Sequence, residues 1–399
     1  MSVTATSVAS PYKGLAPFED SEVDALLFFG RERETEVIVA NMLASKLTVL
    51  YGPSGVGKSS ILRAGVARRL RETAPEADVV VLDEWAVEPT LPEPEGETFL
   101  ILDQFEEYFI YHDAGPLHDL LPSVLERPRV HVLLALREDA LARLDVFQAR
   151  IPSVLSNRLR LDQLDRSAAR AAIVGPLDRW NAVASGGARM AIETALVAEV
   201  LQQVESSPGV IEAPYLQLVM ERVWEAEQDA GSQLLRAETL SSLGGAEAIV
   251  SAHLERALGA LPPREAEIAT SALKFLVTPS RTKIAQSFGD LVGYTNESPV
   301  ALQQVLEILA SQRILRAVAD GGDDGSRYEI FHDVLAEPVL VWRREYEARA
   351  ALAAATRRHR RLAVVAAAAV LLAAAMVVLT VFAFAQQHEA TKQKHAAQA

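Results

Sequence analysis

The sequence predicts an α/β fold: a parallel β-sheet with helices on both faces, followed by a helical domain, a winged-helix domain and one transmembrane helix. Three observations support this prediction. Short aliphatic and β-branched runs alternate with helical patterns as far as about residue 165, as in a three-layer α/β domain. Helical patterns and then a hairpin pattern follow in residues 261–345, and residues 362–385 contain no charged side chain. A chain of 399 residues, half of them hydrophobic, is long enough for two or three folded domains.

The sheet is predicted from short apolar runs, each interpreted as a buried parallel strand. The clear runs are Leu47–Tyr51, Val79–Leu82, Phe99–Leu102 and His131–Leu136, and Leu159–Leu164 is a candidate fifth strand. The acidic, Pro-rich segment 85–97 lies between the second and third runs, and it leaves no room for a crossover helix. Either this connection is a bare loop at a sheet edge, which we favour, or one of the two strand predictions is wrong.

The remaining patterns divide the chain into further parts. The winged helix is predicted from three helices and a hairpin: Arg264–Phe275, a candidate helix at Thr282–Val292, Val300–Gln312, and the strands Ile314–Val318 and Arg327–Phe331. The predicted boundaries are a flexible leader at 1–10, the sheet domain at 11–165, a helical domain at 166–260, the winged helix at 261–345, a basic juxtamembrane helix at 346–361, the transmembrane helix at 362–385 and a short tail at 386–399.

The segment Leu362–Ala385 is predicted to cross a membrane. Its 24 uncharged residues, with Thr380 as the only polar side chain, would reach about 36 Å as a helix, more than a hydrocarbon core of about 30 Å. Four arginines precede it and two lysines follow it: Arg357, Arg358, Arg360 and Arg361, then Lys392 and Lys394. By the positive-inside rule, this bias predicts a single-pass protein of the cell membrane, with the lipid bilayer as a partner and residues 1–361 in the cytoplasm. A buried core helix is the alternative.

Charge and composition exclude several classes of function. The formal net charge of −14 argues against a broad nucleic-acid-binding surface, so nucleic acid is not an expected partner. The chain has no Cys, which excludes disulfides, thiolate metal sites and a thiol nucleophile. Its eight His form no HExxH motif or paired ligand spacing, and therefore predict no protein zinc site.

A glycine-rich motif follows the first apolar run directly. Its residues match the pattern GxxxxGKS and lead into a helical stretch: Gly52, Pro53, Ser54, Gly55, Val56, Gly57, Lys58, Ser59 and Ser60. Between a strand and a helix, such glycines let backbone N–H groups and the helix dipole bind phosphate oxygens. Lys58 is expected to reach the β- and γ-phosphates of a nucleotide, and the Ser59 hydroxyl is expected to ligate Mg²⁺. The alternative is a Gly-rich turn that only caps a helix.

An acidic cluster follows the third apolar run. Asp103 ends this run and is expected to hold Mg²⁺ together with Ser59, directly or through water. Glu106, or as a second choice Glu107, is the candidate general base that polarises the attacking water. As an alternative, these glutamates could begin a solvated helix, whose dipole favours acidic residues.

Arg137 ends the fourth apolar run, and in such sheets the carboxyl ends of strands point toward the ligand crevice. A guanidinium there could detect the γ-phosphate and stabilise the transferred charge. The alternative is a surface ion pair with Glu138 or Asp139.

Together these motifs resemble those of STAND-class NTPases, signal-transducing P-loop ATPases related to NACHT and AAA+ proteins, and most closely the bacterial "novel STAND" group. Beside the phosphate loop, the similarity rests on Pro11-Tyr-Lys-Gly-Leu-Ala-Pro-Phe18, Phe28-Phe-Gly-Arg-Glu32, Asp103-Gln-Phe-Glu-Glu107 and Leu136-Arg-Glu-Asp139. The resemblance implies that Gly30 and Arg31 lie against adenine and ribose, and that Pro214, in Ala213-Pro-Tyr-Leu-Gln-Leu218, packs on the base. It also implies that His332, in Phe331-His-Asp333, contacts the β-phosphate of ADP; a surface His that caps a helix is the alternative.

With the predicted transmembrane helix as the membrane anchor, the resemblance further implies an ATPase that acts as a nucleotide-dependent signalling switch, with ATP or ADP and Mg²⁺ as cofactors. The ADP-bound form would be closed, ATP would open it and promote a homo-oligomer, and slow, regulatory hydrolysis would reset it. The sequence has no NKxD-type guanine motif, so ATP is favoured over GTP. An unknown sensor or effector protein is a further expected partner. Two alternatives stay open: a DNA-associated regulator that uses the winged helix, and a membrane scaffold that binds nucleotide without hydrolysing it.

Overall fold

The computed structural model describes residues 10–53, 55–85, 96–112, 115, 117–183, 189–280, 283–318, 327–331 and 335–349, and beyond these only single positions or short helical pieces up to 383. The chain forms two compact units, Met1–Leu340 and Val341–Ala399. Nearly all of the predicted leader and the whole predicted tail lie outside the described residues.

Five parallel strands form the main sheet of the first unit: β1 (Leu47–Gly52), β2 (Asp78–Leu82), β3 (Thr98–Leu102), β4 (Val130–Arg137) and β5 (Arg158–Arg160). Their order across the sheet is β2-β3-β4-β1-β5, and every neighbouring pair is parallel. The predicted parallel sheet is therefore confirmed. The fifth strand is shorter than predicted, because the chain leaves the sheet after Leu161 and Leu164 bridges to Ile211 instead.

For the connection between β2 and β3, the sequence favours a bare loop at a sheet edge over an error in one of the two strand predictions. β2 lies at the edge of the sheet and pairs in parallel with β3 along its whole length, so both strand predictions are confirmed. Most of the connecting segment, residues 86–95, lies outside the described part of the chain.

Both faces of this sheet are buried, which explains why its strands are apolar almost throughout. Along β4, Val132 and Leu134 pack against one layer of helices, whereas Leu133 and Ala135 pack against the other. The first layer contributes Phe105, Tyr108, Leu117, Leu121, Leu144 and Phe147, and the second contributes Ile38, Met42, Ile61, Leu62, Val66 and Leu70. This two-sided packing fixes the carboxyl ends of the strands, where the candidate site residues lie.

The helices of the first unit are α1 (Glu22–Leu27), α2 (Glu32–Ala44), α3 (Lys58–Ser60), α4 (Arg68–Thr73), α5 (Phe105–Tyr111), α6 (Leu117–Leu125), α7 (Arg166–Val183), α8 (Thr194–Gln203), α9 (Ala213–Asp229), α10 (Ala237–Ser242), α11 (Gly245–Gly259), α12 (Pro263–Leu276), α13 (Phe288–Thr295) and α14 (Pro299–Ser311). A π-helical stretch, Ile61–Ala67, joins α3 to α4, and Glu138–Phe147 is 3₁₀-helical. Short strands lie between the helices that follow the main sheet: β6 (Ala191–Ile192), β7 (Glu205–Ser207), β8 (Val210–Ile211) and β9 (Leu234–Leu235).

Helices α12 to α14 are combined with a three-stranded antiparallel sheet, which is the arrangement of a winged helix. Its strands are β10 (Gln286–Ser287), β11 (Leu315–Val318) and β12 (Arg327–Ile330), in the order β10-β12-β11. Helix α13 begins later than predicted, because Gln286 and Ser287 pair with β12 and the Ser287 side chain caps the helix by accepting from the backbone N–H of Asp290. The hairpin tip, residues 319–326, lies outside the described residues. The predicted domain boundaries stay predictions.

The predicted transmembrane helix is wrong. Among the residues that the structure describes, no helix is both long enough and apolar enough to cross a bilayer. Spanning a bilayer requires about 20 consecutive residues. Part of the segment 362–385 lies outside the described residues. The prediction of a single-pass protein of the cell membrane, with residues 1–361 in the cytoplasm and lipid as a partner, depended on this helix and falls with it.

Candidate nucleotide-binding site

The strand order brings the sequence motifs together at one edge of the sheet. β1 and β3 both lie beside β4, and the carboxyl ends of parallel strands share one edge. Gly52, at the start of the glycine-rich motif, is the register partner of Arg137. Asp103 directly follows β3, so all three predicted elements meet where β1, β3 and β4 end.

The glycine-rich loop leaves an open cradle before α3. Gly55 and Gly57 have φ angles of 75° and 96°, in the left-handed region that glycine adopts without strain. A Cβ atom on Gly57 would meet no heavy atom within 4 Å, whereas one on Gly52 would lie 2.5 Å from the carbonyl oxygen of Leu161. Gly52 is therefore required for packing, and Gly57 leaves space that a ligand can use. Ser54 lies outside the described residues.

Lys58 is buried inside this cradle. Its ammonium group donates hydrogen bonds to the carbonyl oxygens of Gly52 (2.9 Å) and Pro53 (3.1 Å). Burial lowers the pKa of Lys58, while the nearby carboxylates of Glu106 and Asp103 act in the opposite direction. Within the loop, the hydrogen-bond acceptors of the Lys58 ammonium group are these two neutral carbonyl oxygens, which phosphate oxygens could replace.

Asp103 is fully buried at the end of β3 and is only partly satisfied. Its Oδ1 atom accepts a hydrogen bond from the backbone N–H of Gln104 (2.9 Å), but Oδ2 accepts none from any described residue. Burial raises the pKa of Asp103, and the Ser59 hydroxyl and the Arg63 guanidinium partly offset this effect. Asp103 Oδ2 accepts no hydrogen bond from the described residues and lies 3.9 Å from Arg63 Nη2. Such a buried carboxylate oxygen, next to a serine hydroxyl, is a donor set that suits Mg²⁺. The described residues contain no group of three or more His, Asp or Glu that could hold a metal ion by themselves, so a nucleotide's oxygens would have to complete such a site.

The two candidate bases differ in their surroundings. Glu106 is buried, and its Oε2 atom accepts a hydrogen bond from the backbone N–H of Arg137 (3.2 Å). Burial raises the pKa of Glu106, and the charge of Lys58 lowers it. Glu107 is half-buried; burial, followed by the charges of Glu106 and Asp103, raises its pKa to about 7. Neither side chain is simply a solvated residue at a helix start.

Arg137 has features of both roles that the sequence suggests, a surface ion pair and a γ-phosphate sensor. Its guanidinium forms an ion pair with both carboxylate oxygens of Asp139, at 3.0 and 2.7 Å, which matches the structural alternative. It also lines the cleft, and Nη1 donates to the carbonyl oxygen of Ala317 in β11 (3.3 Å). The candidate sensor therefore already contacts the winged helix.

The side of the cleft that the resemblance assigns to the base is partly described. Gly30 has a φ of 84°, and its backbone N–H donates to the carboxylate of Glu32. Arg31 is buried and donates to the carbonyl oxygen of Val56 in the phosphate loop (3.1 Å). Pro214, in the first turn of α9, lines the cleft. His332 lies outside the described residues, so its contact with ADP stays a prediction.

The cleft between these elements measures about 490 Å³. It is lined by the phosphate loop together with residues that the sequence motifs did not single out as site residues: Leu15, Pro17, Phe18, Arg63, Arg313 and Phe331. The N-terminal motif Pro11–Phe18 is recognisable in the sequence, but the sequence does not indicate that its residues line the cleft. Nothing in the local sequence around Arg313 indicated its position, because tertiary packing alone brings it there.

A GxxxxGKS loop after a parallel strand, an acid after the neighbouring strand and an arginine at the end of the strand between them define a P-loop NTPase. The family model described as Novel STAND NTPase 1 matches residues 11–93 and 82–369. The chain therefore belongs to the Novel STAND NTPase 1 family, which supports nucleotide binding and hydrolysis in general.

Among solved structures, the chain is similar to the ORC1 protein of Aeropyrum pernix in complex with DNA, with 16% identity, coverage of 82% of this chain and 94% of that one, and a TM-score of 0.44. It is also similar to CDC6P from Pyrobaculum aerophilum (14% identity, 79% and 94% covered, TM-score 0.39) and to a RuvB variant of Thermotoga maritima (13%, 82% and 98%, 0.39). At these scores the likenesses carry no argument about function. The comparison with curated proteins found no match.

Proposed function

We propose that this chain is an ATP-dependent switch in which the nucleotide cleft is also the docking surface for the chain's own winged helix. ADP would keep the protein closed, ATP would open it for self-association, and slow hydrolysis would reset it. One observation carries the proposal: the arginine at the end of β4 donates a hydrogen bond to the winged helix, from Arg137 Nη1 to the Ala317 carbonyl oxygen. A sensor or effector protein would supply the signal.

The coupling between the nucleotide and the winged helix would follow from competition for the guanidinium of Arg137. All three of the hydrogen-bonding nitrogens of Arg137 are already used, two of them by Asp139 and one by Ala317. A γ-phosphate bound between the loop and β4 would offer Arg137 a doubly charged acceptor in place of a neutral carbonyl. A ligand shifts an equilibrium only by the difference between its contacts with the two conformations, and ATP differs from ADP by this phosphate. ATP would therefore weaken the Ala317 contact, and ADP would leave it in place.

A second contact places the winged helix beside the phosphate loop. A Cβ atom on Gly55 would lie 3.9 Å from Cζ of Phe331, the residue that follows β12. The backbone N–H of Phe331 donates to the carbonyl oxygen of Ile314 (2.8 Å), which ties this ring to the winged-helix sheet. If the phosphate loop moves when it binds phosphates, it would therefore displace the ring of Phe331 directly.

For hydrolysis, each residue would have a separate task. Lys58 would exchange the carbonyl oxygens of its own loop for phosphate oxygens. Mg²⁺, held by Ser59 with Asp103 beside it, would neutralise charge on the phosphates when bound. Glu106 would accept a proton from the attacking water. Because one oxygen of Glu106, Oε2, is held by the backbone N–H of Arg137, only Oε1 would be available to the water, which favours slow turnover.

The nucleotide carried by the purified protein tests the closed state. We expect wild-type protein to co-purify with ADP, and Lys58→Ala to carry none, because the loop cation is lost. Extraction followed by anion-exchange chromatography measures both. Wild-type protein that neither carries nor binds nucleotide would contradict the proposal.

A variant in which hydrolysis is blocked tests the open state. Glu106→Gln should retain ATP, lose at least about 100-fold in turnover and form a larger species in light scattering, since a general base contributes about 10²–10⁴-fold. Glu107→Gln is the matched control and should keep turnover within a few fold of wild type. If the two glutamine variants exchange these results, Glu107 is the base. If neither variant changes turnover or assembly, the switch mechanism is refuted.

A further inference from the structure

We propose that Arg313, in the winged helix, binds a phosphate group of the nucleotide in the cleft and so fastens the winged helix to the ligand. This inference rests on the proposed function, because it requires a nucleoside di- or triphosphate in that cleft.

The backbone at Arg313 is one that normally selects glycine. Helix α14 ends in a Schellman motif: the N–H of Ile314 donates to the carbonyl oxygen of Leu309 (2.9 Å), and the N–H of Arg313 donates to that of Ala310 (3.0 Å). The central residue of this motif must adopt the left-handed conformation, and Arg313 has a φ of 55°. Glycine would adopt this backbone with less strain, so the arginine is disfavoured by local structure alone.

The side chain of Arg313 forms no ion pair with any residue that the structure describes. Its Cζ atom lies 5.6 Å from the ring centre of Phe331, which makes a cation–π contact. No carboxylate or carbonyl oxygen of the described residues pairs with its guanidinium. Burial lowers the pKa of Arg313, and the charge of Glu19, which forms no ion pair with it, offsets this only in part.

The other arginines of the cleft differ in this respect. Five described arginines line it, and each of the other four has a carboxylate partner: Arg31 with Glu34, Arg63 with Glu19 and Asp83, Arg137 with Asp139, and Arg316 with Glu329. Arg316 is the closest comparison, since it lies three residues after Arg313 in the same winged helix. The unpaired arginine is therefore a feature of one position and not of the cleft as a whole.

Partial burial removes some of the hydration of a cation, and an anion can compensate for this loss. The guanidinium fork matches the geometry of phosphate oxygens, and Phe331 holds one face of it beside the phosphate loop at Gly55. The phosphate chain of a bound nucleotide is the anion that this position would meet. Arg313 would then add a contact from the winged helix to both ADP and ATP, in contrast to Arg137, which would respond to the γ-phosphate.

Calorimetry on the full chain tests this assignment, with ADP and adenosine as separate titrants. Arg313→Gln and Arg313→Gly should weaken ADP binding by about 10- to 100-fold, the usual effect of losing a hydrogen bond to a charged group, and should leave adenosine binding within about twofold. Arg313→Gly should also keep or raise the thermal midpoint without ligand, because glycine relieves the backbone. Arg256→Gln is the matched control: it removes an exposed arginine from the neighbouring groove, which Arg313 also lines, and should bind ADP like wild type.

The outcomes separate this inference from the proposed function. If wild-type protein binds no ADP, the proposed function fails. If wild type binds ADP, Lys58→Ala does not, and both Arg313 variants bind like wild type, the proposed function stands and the role of Arg313 is overturned. Equal losses for ADP and adenosine, or a lower midpoint without ligand in both variants, would also overturn it, since they would show a contact with the base or a packing role.

Discussion

Replacement of Glu107 by Gln should stabilise the protein at pH 8 and leave its stability unchanged at pH 4 to 5. Burial, reinforced by the charges of Glu106, Asp103 and Asp83, raises the pKa of Glu107 from 4.5 to about 7. Between these two values the folded state binds more protons than the unfolded state. The stability contributed by this proton is therefore fully present below pH 4.5 and is lost as the pH rises through about 7. Gln has no charge to bury, and so avoids this loss.

The size of the effect follows from the same values. Taken in full, a pKa raised from 4.5 to about 7 corresponds to about 3 kcal/mol of unfolding free energy. Glu107 is half-buried, and solvent screens part of the repulsion, so we expect about 1–2 kcal/mol. For a large domain this is a rise of about 2–4 °C in the thermal midpoint.

Thermal unfolding of wild type and Glu107→Gln, without nucleotide or Mg²⁺ and at several pH values from 4.5 to 8.5, measures this difference. Glu126→Gln makes the same change of charge at an exposed position after α6 and should show no pH-dependent gain. A gain of equal size at pH 4.5 and pH 8, or a loss at pH 8, would refute the reasoning, because neither can arise from a proton that only the folded state retains.

Three further predictions concern the loop, the metal ligand and the winged helix. Gly52→Ala should lower the unfolding free energy by about 2 kcal/mol or more in thermal unfolding, since the new Cβ would lie 2.5 Å from the Leu161 carbonyl oxygen; an unchanged midpoint would contradict the packing argument. Asp103→Asn should bind ATP equally with Mg²⁺ and with EDTA, measured by calorimetry, whereas wild type should gain at least about tenfold from Mg²⁺; a gain as large as that of wild type would exclude Asp103 from the metal site. Arg137→Ala should release the winged helix, so limited proteolysis of the ADP-bound protein should cut several-fold faster around residues 260–263; wild-type cleavage rates would argue against the Ala317 contact.

The parts of the fold that sequence predicted are those with a local physical cause. Strands such as β3 and β4 are buried on both faces, so their apolar runs are visible without any knowledge of their neighbours. The phosphate loop is visible because left-handed backbone at Gly55 and Gly57 requires glycine, and Lys58 must follow at a fixed distance. Asp103 was predictable from its position after an apolar strand, and the structure places it beside the loop.

The parts that were missed depend on distant residues. Helix α13 was placed too early, because the pairing of Gln286 and Ser287 with β12 joins segments about 40 residues apart in the chain. Arg313 gave no signal, since its position opposite the phosphate loop results from the packing of the winged helix. The transmembrane prediction failed for a different reason: lack of charge over 24 residues is not by itself sufficient evidence for a continuous apolar helix.

The charges of the cleft suggest the order in which a nucleotide would engage it. Lys58 is held by two neutral carbonyl oxygens, and phosphate oxygens can replace these easily because they are stronger acceptors. Arg313 forms no ion pair or side-chain hydrogen bond with the described residues. Its contact with a phosphate would therefore have the lowest free-energy cost, because no existing bond has to be broken. Arg137 is held by both oxygens of Asp139 as well as by Ala317, and only the additional charge of a γ-phosphate can compete for it. Diphosphate binding would therefore strengthen the closed form through Lys58 and Arg313, whereas the response of Arg137 would be kept for the triphosphate.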